Sequence, residues 1–319
     1  MVIAHIDAGD RHHELAAWEL AAPHILVESL AELLQTLQPP QQDTIEVVAL
    51  DVSAAPPEDC AGLAPASKQI AAIRSLAPDV AIVALIAPGD DATARQALDA
   101  GAVRCVEKKG CYLATLSGLL DGLLHARQQI DAALDAMAAA WAGQLSLRNN
   151  EREDHLQRVT SLTLRVAQAI GMSAAQLRLI RYGALLHDLG KLAVPENILN
   201  KPGPLTDDEW RIVLTHPEHA RQMLSSVPYL KRAVDIPYAH HERWDGTGYP
   251  RGLRGEQIPL AARIFAVVDV WDTLCSDRPY RKRWSPEKAR DYIRSLAGTS
   301  FDPAVVEAFL KVIDLDLSR

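Results

Sequence analysis

The second half of the sequence places imidazole and carboxylate side chains where a helix would otherwise prefer apolar residues. Glu151 and His155 are four residues apart, so they project from one helical face. His187 and Asp188 directly follow the core-like run GALL, and Lys191 comes one turn later. This spacing predicts that the polar side chains converge on one site.

Further histidines and acids follow along the chain. His216 lies at the end of the predicted helix in TDDEWRIVLTH, and His240 and His241 stand in HHERWDGTGYP, beside a turn rich in Gly and Pro. Asp269 and Asp272 interrupt the apolar helical stripe RIFAVVDVWDTL. Any one of these groups alone is more often a satisfied core polar residue, but chance does not assemble the whole ordered set.

Imidazoles and carboxylates without thiolates are typical ligands of iron, manganese or zinc, and not of a structural zinc finger. An aspartate next to a histidine can bridge two ions, because its two oxygens can point to different metals. A bridged pair of ions activates a water and neutralises charge that develops on a phosphoryl group. The residue set therefore indicates metal-assisted phosphoryl chemistry.

The remaining sequence predicts two domains of different kinds. In the first third of the chain, VIAHI, IEVVAL, VAIVALI and VRCV predict buried parallel strands, and HILVESLAELLQTL and ATARQALDAG predict amphipathic helices. The alternation predicts a doubly wound α/β domain over residues 1–110, with Asp51 at the carboxyl end of a strand. Residues 149–319 show mainly helical periodicity, which predicts a predominantly helical, all-α domain.

Residues 111–148 predict one long connecting helix between the two domains, because the stretch has helical spacing, many alanines and no proline. A helix of this length with an apolar stripe needs a partner, either the next domain or another protomer. We therefore expect a homodimer formed through this helix.

Composition limits the partners. The net charge of −8, from 33 basic and 41 acidic side chains, disfavours a nucleic-acid polymer and leaves room for a small anionic ligand. The four cysteines are scattered without a CxxC pair, as in reduced cytosolic proteins. Neither a signal-peptide pattern nor an apolar run of membrane-spanning length is present. We expect a cytoplasmic protein without a membrane partner.

The stretches HDLGK, HHERWDGTGYP and DVWDTLCSDRPYR resemble the signature of the HD-GYP family, a branch of the HD superfamily of metal-dependent phosphohydrolases. The resemblance covers residues 148–317. It implies an HD-type helical bundle that holds two or three transition-metal ions, iron or manganese foremost, with zinc or nickel possible in vitro. It also implies hydrolysis of cyclic di-GMP, a bacterial second messenger, to pGpG and onward to GMP.

Matched by position, the resemblance implies a role for each polar residue. The metal ligands fall on Glu151, His155, His187, Asp188, His216, His240, His241 and Asp269. Within this set Asp188 is the bridge, and Glu151 matches the extra carboxylate of members with a third ion. Lys191 matches a lysine that contacts the scissile phosphate, so Asp188 and Lys191 are the expected catalytic pair.

Substrate contacts are expected from five further residues: Gly248, Tyr249, Asp272, Arg278 and Arg281. Gly248 permits close approach of the backbone, and Tyr249 offers a ring and a hydroxyl. Arg278 and Arg281, in RPYR, would supply the local positive charge for nucleotide phosphates.

Residues 1–110 resemble a response-regulator receiver domain. Asp51 matches the phosphoacceptor and Lys108 the phosphate-contacting lysine, but the acidic pair after the first strand is reduced to Asp7, and Ile86 stands where a hydroxyl residue is expected. Because Mg²⁺ needs several carboxylates and the switch needs that hydroxyl, we expect a degenerate domain whose Asp51 is phosphorylated poorly.

Three functions are compatible with these motifs. The leading one is a cyclic di-GMP phosphodiesterase with a regulatory N-terminal domain. A phosphohydrolase acting mainly on pGpG or another nucleotide would keep the same metal ligands. A cyclic di-GMP receptor with slow catalysis would act through a signalling protein partner.

Overall fold

A computed structural model describes the chain over residues 2–5, 24–27, 30–37, 45–52, 65–77, 80–149, 153–277 and 282–317. The chain forms two compact units, Met1–Ala132 and Ala133–Arg319. The first contains a parallel β-sheet, and the described part of the second is built from helices. The two-unit arrangement agrees with the organisation predicted from the sequence.

Five parallel strands form the sheet of the first unit, in the order β2-β1-β3-β4-β5. Their bounds are β1 Val2–His5, β2 His24–Val27, β3 Val47–Asp51, β4 Ala81–Ile86 and β5 Arg104–Glu107. This is one of the common strand orders of doubly wound α/β folds. Asp51 is the last residue of β3, so it lies at the carboxyl edge of the sheet, as the sequence predicts.

The prediction of a single helix over HILVESLAELLQTL is wrong in its first part. His24–Val27 forms strand β2, which pairs with β1 from Val2↔His24 to His5↔Val27, and only Leu30–Thr36 is helical. A short apolar run such as HILV has no periodicity that separates a buried strand from a buried helix. Pairing with β1 decides the conformation.

Helices cover both faces of the sheet. They are α1 Leu30–Thr36, α2 Ala66–Leu76, α3 Asp91–Asp99 and the first part of α4 Tyr112–Asn149. Alternate residues of β3 point to opposite faces, so that Val48 packs with α1, α2 and α3, whereas Val47 packs with α4. Both faces are therefore part of a hydrophobic core.

Helix α4 is the predicted connecting helix, and it serves both units. Tyr112, Leu116 and Leu120 pack on the sheet, which is why the first compact unit extends beyond residue 110 to Ala132. Towards its C-terminus, Ala138 is buried within the second unit. The predicted boundary at residue 110 thus marks a change in sequence periodicity. The boundary between the two compact units lies within α4, between Ala132 and Ala133.

The second unit contains nine further α-helices in the part of the chain described: α5 Glu153–Ala169, α6 Ala174–Leu185, α7 Glu196–Leu199, α8 Asp207–Val213, α9 His216–Ser225, α10 Asp235–Ala239, α11 Leu260–Cys275, α12 Pro286–Ser295 and α13 Pro303–Leu317. Three short 3₁₀ helices, Leu189–Ala193, Lys231–Ala233 and Gly255–Gln257, lie between them. Helix α11 runs through the core, where Phe265 and Val268 pack with α5 and α13. Across the described residues, every helix is too short or too polar to cross a bilayer.

Candidate metal centre

Seven of the predicted metal ligands converge in the second unit and form two adjoining groups. One group contains Asp188, His216, His240 and His241, and the other contains His155, His187 and Asp269. Within each group, one ligand atom from every residue lies within 4.8 Å of the others. The sequence predicts all seven residues, and the fold brings them together from separate helices and turns.

The ligands come mainly from the ends of helices. His187 and Asp188 lie in the turn after α6, His216 begins α9, and His240 follows the last residue of α10. Asp269, by contrast, lies in the middle of α11. Helix ends leave backbone groups without partners inside the helix, and these groups are available to orient side chains.

Backbone carbonyls fix three of the imidazole rings in the same manner. The Nδ1 atoms of His187, His216 and His240 lie 2.9, 2.8 and 3.0 Å from a carbonyl oxygen three or four residues earlier. A carbonyl oxygen only accepts, so each Nδ1 carries the hydrogen and each Nε2 keeps its lone pair. These three rings therefore present an Nε2 acceptor to the site.

Three acceptor atoms in the site are buried and have no hydrogen-bond partner: His216 Nε2, His240 Nε2 and Asp188 Oδ1. Burying a polar atom without a partner costs roughly 1–3 kcal/mol, so such atoms rarely cluster without a reason. A cation would satisfy all three. The donor set of neutral imidazoles and carboxylates therefore fits the metal ions that the sequence predicts.

The two oxygens of Asp188 face the two ligand groups. Oδ1 lies 3.3 Å from His216 Nε2 and 3.8 Å from His240 Nε2. Oδ2 lies 3.2 Å from His187 Nε2 and also contacts the Lys191 ammonium. One carboxylate thus reaches both halves of the site.

The protonation states suit metal ligands, which must be deprotonated. Burial lowers the pKa of His216 and of His240, and it lowers the pKa of His241 to about 3. Burial opposes ionisation of Asp188, but the charge of Lys191 foremost outweighs it and holds the pKa of this carboxyl well below its usual range. The imidazoles of His216, His240 and His241 are therefore neutral beside a carboxylate anion.

Asp272 lies behind His155 and orients it. Its carboxylate accepts a hydrogen bond of 2.7 Å from His155 Nδ1 and two from Arg158, of 2.6 and 3.0 Å. Although burial opposes ionisation, these hydrogen bonds lower the pKa of Asp272 to about 2. His155 Nε2 is thereby turned towards Asp269, at 3.6 Å from its Oδ1.

The sequence places Asp272 among the substrate contacts because it lies near Asp269 in the chain. In the structure its carboxylate is taken up by His155 and Arg158, outside the group of residues that line the metal pocket. A spacing of three residues turns a helical side chain about 60° away from the first, which is enough to separate the two roles.

A small cavity of about 170 Å³ opens over the ligands. Its lining consists of His155, His187, Asp188, Lys191, His240, His241, Asp269 and Thr273. Lys191 thus lies at the site, as the sequence predicts. Thr273 was missed by the sequence analysis, although its position four residues after Asp269 places it on the same helical face.

The Gly-Tyr-Pro turn folds back over the histidines. The Tyr249 ring stacks on His241, with centroids 4.6 Å apart and planes 22° apart, and its backbone N–H donates to the His241 carbonyl at 3.2 Å. A Cβ on Gly248 would lie 2.4 Å from Arg243 N and 2.5 Å from His241 O, so only glycine fits this close approach. The turn thereby holds Tyr249 at the edge of the site.

Glu242 is a second residue that the sequence analysis missed. Its buried carboxylate accepts hydrogen bonds from the backbone N–H groups of Arg251, at 2.8 Å, and Leu253, at 2.9 Å. These contacts fix the segment that follows the Gly-Tyr-Pro turn. The sequence could have indicated this role, because Glu242 follows two histidines and precedes a glycine-rich loop. A carboxylate in such a position can accept hydrogen bonds from free backbone N–H groups of the loop.

Three of the predicted site residues, Glu151, Arg278 and Arg281, lie outside the described residues, as does Asp7 in the N-terminal half. Their roles stay predictions.

In the first unit, the Asp51 side chain is fully buried at the end of β3, and Lys108 Nζ lies 2.8 Å from its Oδ2. Ile86 is the buried last residue of β4. The predicted phosphoacceptor and its lysine thus adjoin, and the neighbouring strand ends in an apolar side chain.

We predict that Asp272→Asn weakens metal binding about 10- to 100-fold, because losing the anion behind a ligating histidine lowers its basicity and loosens its orientation. Calorimetric titration of chelator-treated full-length protein with Mn²⁺ would measure the effect. Asp291→Asn, which removes an exposed carboxylate of the same unit, is the matched control. Equal affinity in wild type and Asp272→Asn would contradict the assigned role.

The chain was compared with known proteins. The family model described as "HD domain" matches residues 141–305, just over half of the 319 residues. The cyclic di-GMP phosphodiesterase response regulator RpfG of Xanthomonas campestris pv. campestris is 35% identical over 256 residues, which are 73% of this chain and 68% of that protein.

Two further relatives match mainly in the second half. A cyclic di-GMP phosphodiesterase of Thermotoga maritima is 43% identical over 167 residues, 52% of this chain and 45% of that protein. The 3′3′-cGAMP-specific phosphodiesterase 2 of Vibrio cholerae is 37% identical over 172 residues, 53% of this chain and 33% of that protein. The chain thus spans less than half the length of these two. Together with the motifs and the site, the matches show that the chain belongs to the HD domain family, in its HD-GYP branch, with a receiver-like domain at its N-terminus.

Proposed function

We propose that the protein is a metal-dependent phosphodiesterase that hydrolyses cyclic di-GMP to pGpG and onward to GMP. The observation that carries this proposal is Asp188, a buried carboxylate whose two oxygens face two separate groups of metal-ligating side chains. Two of the relatives reported above are named as cyclic di-GMP phosphodiesterases, which favours this substrate class.

The two ligand groups would hold two ions with Asp188 between them. His155, His187 and Asp269 would complete one site, and His216, His240 and His241 would complete the other. When bound, the ions would activate a water and neutralise charge on the phosphoryl group. Iron or manganese suits this set of imidazoles and carboxylates, and Glu151 is the candidate for a third site.

Lys191 is proposed to bind the scissile phosphate. Its ammonium lines the cavity, and its side chain is 24% exposed, so it can reach a ligand while lying beside Asp188. A fixed positive charge at a transferring phosphoryl group stabilises the charge that develops in the transition state. The same ammonium also favours the ionised form of Asp188, a form that bound cations would themselves stabilise.

Tyr249 is proposed to cover the site and to contact the nucleotide. Its ring stacks on His241, and its hydroxyl stays protonated, because burial raises the pKa of this phenol. A protonated hydroxyl can donate to a phosphate or a base. Gly248 is proposed to serve the substrate indirectly, by letting the turn approach the histidines.

Two alternatives differ in substrate or output. A protein acting on pGpG or on a mixed cyclic dinucleotide would keep the same ligands, and the similarity to a 3′3′-cGAMP-specific enzyme makes the latter a specific candidate. A cyclic di-GMP receptor with slow turnover would bind without hydrolysis. The cavity over the ligands suits the phosphoryl group common to all of these.

Product analysis of manganese-loaded protein with cyclic di-GMP, pGpG and 3′3′-cGAMP tests the function. We expect the highest kcat/KM with cyclic di-GMP. We predict that Lys191→Ala lowers kcat about 10²- to 10³-fold, as is found for loss of one preorganised oxyanion donor, with metal content unchanged. Lys201→Ala, which removes a lysine paired with Glu209, is the matched control.

The result would refute the substrate assignment if pGpG or 3′3′-cGAMP were hydrolysed faster than cyclic di-GMP. Binding of cyclic di-GMP without turnover would instead support the receptor alternative. If Lys191→Ala lost metal in proportion to its activity, the lysine would be a structural support of Asp188 and not a group that acts on the phosphate.

We further propose that the N-terminal unit is a degenerate receiver and that dimerisation through α4, rather than phosphorylation, is its output. Transfer to Asp51 needs Mg²⁺ held by several carboxylates, and Asp7 is the acid that the sequence offers beside it. The apolar Ile86 offers no hydroxyl that could follow a phosphoryl group, so the two states would differ little in contacts.

Accordingly, we predict that beryllofluoride or acetyl phosphate changes neither phosphodiesterase activity nor oligomeric state. Activity assays and sedimentation of wild type and Asp51→Ala would be compared with and without each reagent. A response of the wild type that Asp51→Ala lacks would show that the domain is a working phospho-switch. A monomer at all concentrations would exclude the proposed dimer.

A further inference from the structure

The turn that carries Lys191 is held by the C-terminal end of helix α4. Arg148 Nη1 donates to the Leu192 carbonyl at 2.6 Å, and Nη2 donates to the Val194 carbonyl at 2.8 Å. In return, Asn200 Nδ2 donates to the Arg148 carbonyl at 3.1 Å. One guanidinium thus spans two carbonyls, those of the first and third residues after Lys191.

The other side of the same turn is fixed by close packing. A Cβ on Gly190 would lie 1.8 Å from the His216 carbonyl oxygen and 2.6 Å from Ala220 N, so the backbone at this glycine rests directly on helix α9. Lys191 therefore stands between a contact to α9 on its N-terminal side and the Arg148 hydrogen bonds on its C-terminal side. Its own amide donates to the Asp188 carbonyl at 2.8 Å.

We infer that Arg148 is a positioning residue that fixes Lys191 in the orientation needed for phosphate binding, an inference that rests on the proposed function. The planar guanidinium suits this task, since its N–H groups diverge in a rigid fork and can hold two acceptors at once. A lysine ammonium also carries several donors but lacks this rigid planar fork. Arg148 itself does not contact the cavity.

The position of Arg148 also gives helix α4 a route to the site. Arg148 belongs to the last turn of α4, the helix whose first turns pack on the sheet of the N-terminal unit. A rotation or axial shift of this last turn would displace the Leu192 and Val194 carbonyls and, with them, Lys191. A change in α4 would thus alter turnover through the hydrogen bonds from Arg148 to the Leu192 and Val194 carbonyls.

A double-mutant cycle tests whether Arg148 acts through Lys191. We expect Arg148→Ala to lower kcat about 10- to 100-fold at unchanged KM and metal content, because misplacing a catalytic group by about 1 Å can cost 100-fold. In a Lys191→Ala background, the same change should cost nothing further. Arg148→Lys should restore part of the rate.

Arg181→Ala is the matched control. Arg181 also ties α4 to the bundle, through Asp135 at 2.8 Å, but away from Lys191, so its loss should leave kcat unchanged. The inference would be overturned if Arg148→Ala reduced activity equally with and without Lys191, if it removed metal, or if Arg181→Ala had the same effect.

Hydrogen exchange of the full chain separates this inference from the proposed function. Arg148→Ala should speed exchange of the amides of residues 191–194 with no change in the amides around Asp135, and this readout needs no substrate. If the wild type hydrolyses none of the dinucleotides, the proposed function fails while the exchange result still decides the inference. Unchanged exchange in residues 191–194 would contradict it.

Discussion

The second unit is organised around a buried carboxylate. Asp188 is removed from solvent, and an isolated ionised carboxylate would be very costly there. Lys191 keeps it ionised, and its Oδ1 has no hydrogen-bond donor. The whole metal centre depends on this one constraint, because cations bound on both sides would satisfy the charge and the open acceptor together.

Three of the histidines around Asp188 are oriented by backbone groups of the helices that precede them. His187, His216 and His240 each follow the end of a helix and donate Nδ1–H to a carbonyl from its last turns, namely those of α6, α8 and α10. Carbonyls at a helix C-terminus need donors in any case. One hydrogen bond therefore fixes the tautomer and aims Nε2 at the site in all three cases, and at the ends of α6 and α8 it also gives a terminal carbonyl a donor.

His155 is different, because it lies within the first turns of α5, whose own carbonyls already accept hydrogen bonds inside the helix. Here a side chain, Asp272, takes the place of the backbone carbonyl, and Arg158 holds Asp272 in turn. All four rings thus receive a partner at Nδ1, although the partner is a backbone group in three cases and a carboxylate in one. The common outcome is that Nδ1 is hydrogen-bonded and Nε2 is directed inward.

The sequence allows most of the ligand residues to be predicted, but not the residues that hold them in place. The ligand residues could be found because imidazoles and acids in apolar helices stand out, and because HDLGK and HHERWDGTGYP form specific motifs. Arg148, Asp272 and Glu242 were missed or misplaced because their roles depend on contacts with residues 9 to 117 positions away. Spacing within one helix cannot reveal such contacts.

The same limit applies to the fold. Strands β3, β4 and β5 followed from their apolar runs, whereas β2 is a strand only because it pairs with β1. The first turns of α4 belong to the N-terminal unit because Leu116 and Leu120 meet the sheet, which no periodicity within the helix predicts. The local sequence pattern indicates which face of a helix or strand is apolar. Tertiary packing decides which other element covers that face.

The most direct test of the central claim counts metal ions in anaerobically purified protein after iron or manganese loading, for the wild type and for Asp188→Asn. Elemental analysis should give at least two ions per wild-type chain and one or fewer per variant chain, with circular dichroism showing that both are folded. A bridging carboxylate cannot lose its charge without weakening both ions. One ion or fewer in the wild type, or a full complement in folded Asp188→Asn, would contradict the account.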